Sequence, residues 1–215
     1  MKVELSMDFA QLATARHSAV NFQKDFQMTE QDFKQIFELT KLAPSAYNLQ
    51  FTNYLVVTDE EKKEALRAYH YGQYKIHTAS AMVIVLGNRQ SATVEAAEDM
   101  YTPLKMLNIM DEIEYNATME AIRNYSDALT GDELERELMR NAGLHAMFFM
   151  LAAKHYGFDT CPMHVRYIPQ VRKLFAIPTH LEPVMLIAIG KSVDKERPRG
   201  YRKPVSEFVQ FNSFA

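Results

Sequence analysis

One cysteine, Cys161, in 215 residues excludes an intrachain disulfide and suits the chain to a reducing compartment. No apolar run approaches the roughly 20 residues that span a bilayer; the most apolar window covers only residues 146–153. The first residues, Met-Lys-Val-Glu-Leu-Ser-Met-Asp, carry acids where a secretion signal needs an apolar core, so a cytoplasmic protein is expected. A net charge of -3, a pI near 6.2 and the lack of a long basic run argue against nucleic acid or an anionic membrane as partner. There is no P-loop, no glycine-rich dinucleotide fingerprint and no zinc-site spacing, and the seven histidines form no His-x-x-x-His pair, so no metal is expected. Only seven glycines stand against thirteen methionines and thirteen phenylalanines, which suits a helix-rich chain with an adaptable core. With 47% hydrophobic and 24% charged residues and no linker or repeat, residues 1–215 are expected to form one globular domain.

What is present centres on residues 41–51, Lys-Leu-Ala-Pro-Ser-Ala-Tyr-Asn-Leu-Gln-Phe. Phe33, Ile36, Phe37 and Thr40 recur at the spacing of one helix face, and Pro44 keeps the residue before it from staying helical. Ser45, Asn48 and Gln50 then offer uncharged donors and acceptors between Ala46, Tyr47 and Phe51, a chemistry that grips a flat polar heterocycle. The same stretch also reads as a polar connection that ends a helix.

Along the chain, residues 8–16 predict a short helix with Phe9, Leu12 and Ala13 inward, delivering Arg16, His17 and Ser18 at its end. Thr29 with Asp32 three residues on marks the start of a second helix running to Leu42. Residues 54–58 and 81–86 predict strands, the second apolar throughout and so covered on both faces. Residues 59–63 open a helix with acids at its positive end, and residues 72–75 form a polar island. Residues 91–129 read as helical with breaks at Pro103 and at 108–111, and residues 131–155 as the longest helix, apolar all round from Leu144. That composition fits a core helix or half of a dimer interface. Gly157 suits a left-handed cap. Residues 158–163 predict a strand entering a turn at Pro162, residues 169–175 a small helix, and residues 183–189 another strand. The tail holds Lys195, Arg197, Arg199, Arg202 and Lys203, then Phe208, Val209, Phe211 and Phe214, an apolar ending that should dock on something. These elements alone are as compatible with an open parallel sheet as with an antiparallel one.

Over nearly the whole chain, these motifs resemble the nitroreductase family. Arg16, His17 and Ser18 match the Arg, basic or polar residue and Ser that hold a flavin's phosphate, ribityl and ring edge. Pro44, Ser45, Ala46, Asn48 and Gln50 match the segment that reaches a flavin held mainly by the other subunit. Lys75 matches the lysine near N1 and O2, Asn141 an amide contributed across the dimer, and Arg202, helped by Arg199, the phosphate-gripping arginine. The run from Gly157 to Pro162 is similar to the turn after which backbone N–H groups, here of Met163 and His164, face N5. Singly, Arg16 and Arg202 read as surface arginines, His17 as a helix end, Lys75 as a solvated lysine and Asn141 as a polar helix position; their order is what carries the resemblance. The departures are the bulky, charged Met163-His164-Val165-Arg166, Val20 where a second cation is usual, and Gly72 where an Asn often contacts the ring. His164 reads equally as a substrate-facing residue or an exposed strand end, and Cys161 as core filling.

The resemblance implies an α+β fold, a central, mainly antiparallel sheet flanked by helices, in an interlocked homodimer with two FMN sites. It implies ping-pong transfer of hydride from NADH or NADPH through flavin N5 to an acceptor such as a nitroaromatic or quinone, with no side-chain acid or base. Lys75 and the backbone of His164 would assist, and Tyr125, in a region that often lids the pocket, would touch the substrate. Open beside this are a flavin-binding or redox-sensing protein with little turnover and a different flavoenzyme on the same fold.

Overall fold

The computed structural model describes residues 7–193 and 199–214; Lys195 and Arg197 of the tail lie outside the described residues. The order is α1 (Phe9–Ala15), α2 (Glu30–Thr40), β1 (Thr52–Val57), α3 (Glu60–Ala68), α4 (Tyr74–Thr78), β2 (Ala81–Asn88), α5 (Val94–Met106), α6 (Glu112–Ala128), α7 (Asp132–His155), β3 (Asp159–His164), α8 (Ile168–Phe175) and β4 (Leu181–Gly190). The strands form one four-stranded sheet in the order β1-β2-β4-β3, and every pairing is antiparallel. This removes the parallel alternative and establishes the α+β class.

The alternation of β2 builds two cores. Met82, Ile84 and Leu86 face Leu66, Ile76, Val165 and Val171 on the side of α3, α4 and α8. Ala81, Val83 and Val85 face Phe33, Ile36, Ala146 and Phe149 on the side of α2 and α7. Successive side chains of a strand point to opposite faces, so a strand covered on both sides must be apolar throughout, as β2 is. Gly87 lets α7 approach: a Cβ there would lie 3.0 Å from Leu138 Cβ.

Local signals set most helix ends. Thr29 and Asp32 complete a capping box at α2, and Asp8 and Gln11 one at α1. After α7, Gly157 takes φ 77°, its N–H donates to Lys154 O and Phe158 N–H donates to Ala153 O, a Schellman ending. Three expectations are corrected. Pro103 does not break its helix; it lies inside α5 near its C-terminal end, and the chain turns only after Met106, with Asn108 at φ 53°. Pro162 is no turn either, because β3 runs through it to His164. Phe9 is 73% exposed, since none of the described residues covers that side of α1. α7 resolves into two faces: Leu138, Ala142, Ala146 and Phe149 are buried, whereas Met139, Leu144 and Met147 are exposed. No described helix is long and apolar enough to cross a membrane.

Candidate functional site

The end of α1, the free edge of β3, the first turn of α4 and the tail meet. Arg199 Nη2 donates to the carbonyls of Ala13, Thr14 and Arg16 at 3.0, 2.5 and 2.9 Å, satisfying the electronegative end of α1 and fixing the backbone that carries Arg16. Arg202 donates to Gly200 O and Tyr201 O. The Arg16 guanidinium is held below its ordinary pKa, first by burial and then by the charges of Arg199 and Arg202; Cys161 acts in the opposite direction. No carboxylate of the described residues contributes. Three arginines gathered without an acid among the described residues repel one another, an arrangement that an anion would relieve.

Lys75 Nζ lies 3.3 Å from Cys161 Sγ, so the buried thiol, read from sequence as core filling, holds this lysine beside the same edge. Ala19 N–H donates to Thr160 O at 3.0 Å, next to a bridge between Ser18 and Thr160. Thr160 therefore turns its backbone groups away from β4. Because those groups alternate along a strand, Pro162 and His164 share that free edge with it. Pro162 thus forfeits no ladder bond, the position in which an edge strand tolerates proline, and the His164 N–H is presented outward. His17 is exposed, its Nδ1 3.1 Å from Ala15 O.

The second set of expected residues lies elsewhere on the chain. In the turn after Pro44, Tyr47, Asn48 and Gln50 all take positive φ, at 47°, 52° and 50°. Asparagine tolerates this; for tyrosine and glutamine it costs about 1 kcal/mol each, so the surroundings must impose it. Gln50 N–H donates to Ser45 Oγ at 2.9 Å, Tyr101 OH to Tyr47 O at 2.9 Å, and the buried Leu49 and Phe51 pin the turn. Asn48 and Gln50 consequently point outward. Asn141 does not: it is 1% exposed, accepts from Ala46 N–H at 3.0 Å and donates to Glu137 O and Oε1 at 2.9 and 2.7 Å. Its Oδ1 holds the turn, and its Nδ2 is taken up by Glu137 of the same helix. Glu137, buried and paired with Arg140, escaped the sequence reasoning, although a Glu four residues before an Asn on one helix face was a signal for it. Tyr125 packs on Tyr47 with ring centroids 5.0 Å apart, and its buried hydroxyl lacks a partner among the described residues. No hydrogen bond or ring contact among the described residues joins this set to the first. A cavity of about 530 Å³ between α2, β1, α5 and α7 shares only Gln50 with the expected cofactor residues and is not where the cations gather.

His70 sits behind the site. Its Nδ1 is 2.8 Å from Leu66 O and its Nε2 is 3.1 Å from Arg166 N, which selects the neutral ring with the proton on Nδ1. Burial lowers its pKa, with Arg166 and His164 adding to the shift, and burial lowers that of His145. Both are depressed from 6.5, so the unfolded chain binds more protons below that pH. Stability is full above about pH 6.5 and declines as pH falls toward the folded-state values. Thermal melts should show a falling Tm between about pH 7 and 5, above the carboxylate range, with a shallower fall in His70→Gln; a flat profile would refute the neutral assignment.

The four-stranded antiparallel sheet flanked by helices defines an α+β fold, and comparison with known proteins identifies the family. The family model described as nitroreductase family matches residues 13–191, and the chain belongs to that family. It is 42% identical to MhqN of Bacillus subtilis (strain 168), an inferred NAD(P)H nitroreductase, over 206 residues covering 95% of this chain and 98% of the relative. The crystal structure of the inferred nitroreductase ydfN from Bacillus subtilis matches with a TM-score of 0.89 at 41% identity, covering 94% of this chain and 98% of that one. An inferred nitroreductase from Exiguobacterium sibiricum, solved in complex with FMN, matches with a TM-score of 0.87 at 26% identity, covering 98% of this chain and 100% of that one.

Proposed function

We propose that the protein is an FMN-dependent oxidoreductase that takes hydride from NADH or NADPH and delivers it to an acceptor such as a nitroaromatic or quinone. The observation that carries this is the cluster of Arg16, Arg199 and Arg202 beside the free edge of β3, which no acid of the described residues offsets, with Lys75 close by. The donor set fits the group: guanidiniums for a phosphate, His17 and Ser18 for the ribityl chain and ring edge, and the outward His164 N–H for N5; the expected Met163 N–H faces β4 instead, and Pro162 has none to give. Bound there, FMN would supply two-electron hydride chemistry. This chain's part is to bind, orient and exclude water, with Lys75 placing a cation toward the N1 and O2 edge and the His164 N–H a donor toward N5. Tyr125, packed behind Tyr47, is assigned to the acceptor side.

The separation of the two residue sets favours a homodimer. Pro44, Ser45, Ala46, Asn48 and Gln50 complete the partner's site, while Asn141 acts by holding that turn. The exposed Met139, Leu144 and Met147 of α7 and the exposed Phe208, Phe211 and Phe214 of the tail supply apolar surface for the pairing. A cytoplasmic location accords with this chemistry.

The test is the absorbance spectrum of purified protein, read before and after NADH or NADPH is added without oxygen, with the mass in solution taken alongside. Flavin bands that bleach in a dimer are expected. A colourless protein that does not take up added FMN would overturn the cofactor reading. A yellow protein that never bleaches would replace the reductase with a flavin-binding sensor.

A further inference from the structure

The loop between α3 and α4 forms a wall beside the open end of β3. Tyr71 and Gly72 take φ 55° and 64°, and this turn leaves Tyr71 70% exposed. Arg166, two residues beyond β3, is tied to the wall at three points. Its backbone N–H donates to His70 Nε2 at 3.1 Å, its Nη1 donates to Tyr71 OH at 3.0 Å, and its guanidinium lies 4.7 Å from the Tyr71 ring centroid. His70 is itself fixed by Leu66 O.

None of these partners carries a negative charge. Glu64 of α3 is taken up by Arg67 and His77, and Arg166 makes no ion pair among the described residues. A guanidinium held by neutral, rigid partners keeps its full charge and its remaining N–H donors for a ligand, with the cost of ordering the side chain already met. The place matters as much as the chemistry, because Arg166 follows directly on the backbone assigned above to the flavin's reactive position.

We propose that Arg166, clamped on Tyr71 beyond the end of β3, binds the anionic group of the planar ligand that enters the site, a dinucleotide phosphate or an acidic substituent on the acceptor. This rests on the flavin reading, which the spectrum tests separately before any titration.

The experiment is calorimetric titration of the oxidised, FMN-loaded protein and its Arg166→Gln variant with unreactive NADP⁺ and NAD⁺, and with 1,4-naphthoquinone-2-sulfonate and neutral 1,4-naphthoquinone. Loss of a charge-assisted contact should raise Kd for an anionic ligand about tenfold or more, with the neutral quinone and the FMN content unchanged. Added salt should weaken the anion in the parent protein more than in the variant. A rise for NADP⁺ alone assigns the 2′-phosphate, a rise for both dinucleotides their pyrophosphate, and a rise confined to the sulfonate the acceptor. Arg166→Lys, which keeps the charge but not the fork or the stack, should recover part of the loss. Equal Kd values for all four ligands in parent and Arg166→Gln would overturn the proposal, as would loss of FMN or of a cooperative melt in both variants, which would make Arg166 a structural residue.

Discussion

Arg16→Ala is expected to weaken FMN binding about a hundredfold while leaving the apoprotein at least as stable as the parent. Charge-assisted hydrogen bonds to a phosphate are worth about 1.5–3 kcal/mol each, and an arginine makes two at once. In the absence of an anion, the same side chain is half-buried against Arg199 and Arg202 with no acid of the described residues to offset it. Removing it deletes repulsion and desolvation together, so function and stability should move in opposite directions. Flavin fluorescence titration and thermal melting of the apoprotein read the two separately, and inorganic phosphate should raise the parent's Tm more than the variant's. If Arg16→Ala lowers apoprotein stability and binds FMN normally, the guanidinium is a structural group and the cluster is not an anion site.

Asn141→Leu should destabilise the chain by about 2–4 kcal/mol, the range for leaving buried hydrogen-bonding groups unpaired. The change strands the Ala46 N–H and one carboxylate oxygen of Glu137, which is itself only 5% exposed. It also frees the turn whose Tyr47, Asn48 and Gln50 are held at positive φ, so any ligand contact from that turn should be lost with it. Glu137→Gln keeps an acceptor at the same place and should cost less than about 1 kcal/mol more than the loss of the Arg140 pair. Denaturant unfolding of both variants decides between two roles. An asparagine that merely touched a cofactor would leave apoprotein stability unchanged when replaced, whereas one that holds the turn cannot.

Several local signals were legible in the sequence, although the i, i+4 pair of Glu137 and Asn141 was passed over. Thr29 and Asp32 start a helix because their side chains bond backbone groups three residues away, and β2 reads as a doubly covered strand because six consecutive apolar residues leave no face for water. The placement of Arg16, Ser18 and Lys75 along the chain was legible through the order of the motif. What failed was anything whose outcome depended on the direction of a neighbour. Pro162 looked like a turn because proline usually ends a ladder, and only the edge position of β3, with Thr160 already facing outward, makes it harmless. Phe9 looked inward because its helix is amphipathic, but amphipathicity does not say whether a cover belongs to the same chain.

By itself, then, the sequence determined most helices and strands, several of their caps, the charge types at the end of α1 and in the tail, and the resemblance to the nitroreductase family that those residues carry. The tertiary structure alone decided the antiparallel order β1-β2-β4-β3, the inward aim of Asn141, the clasp of Arg166 on Tyr71, and the parting of the expected site into two groups. The physical reason is range. Capping and periodicity are set by residues within a turn or two, whereas the partner of an amide 95 positions away, or the charge left unpaired beside a strand edge, exists only once distant segments have packed.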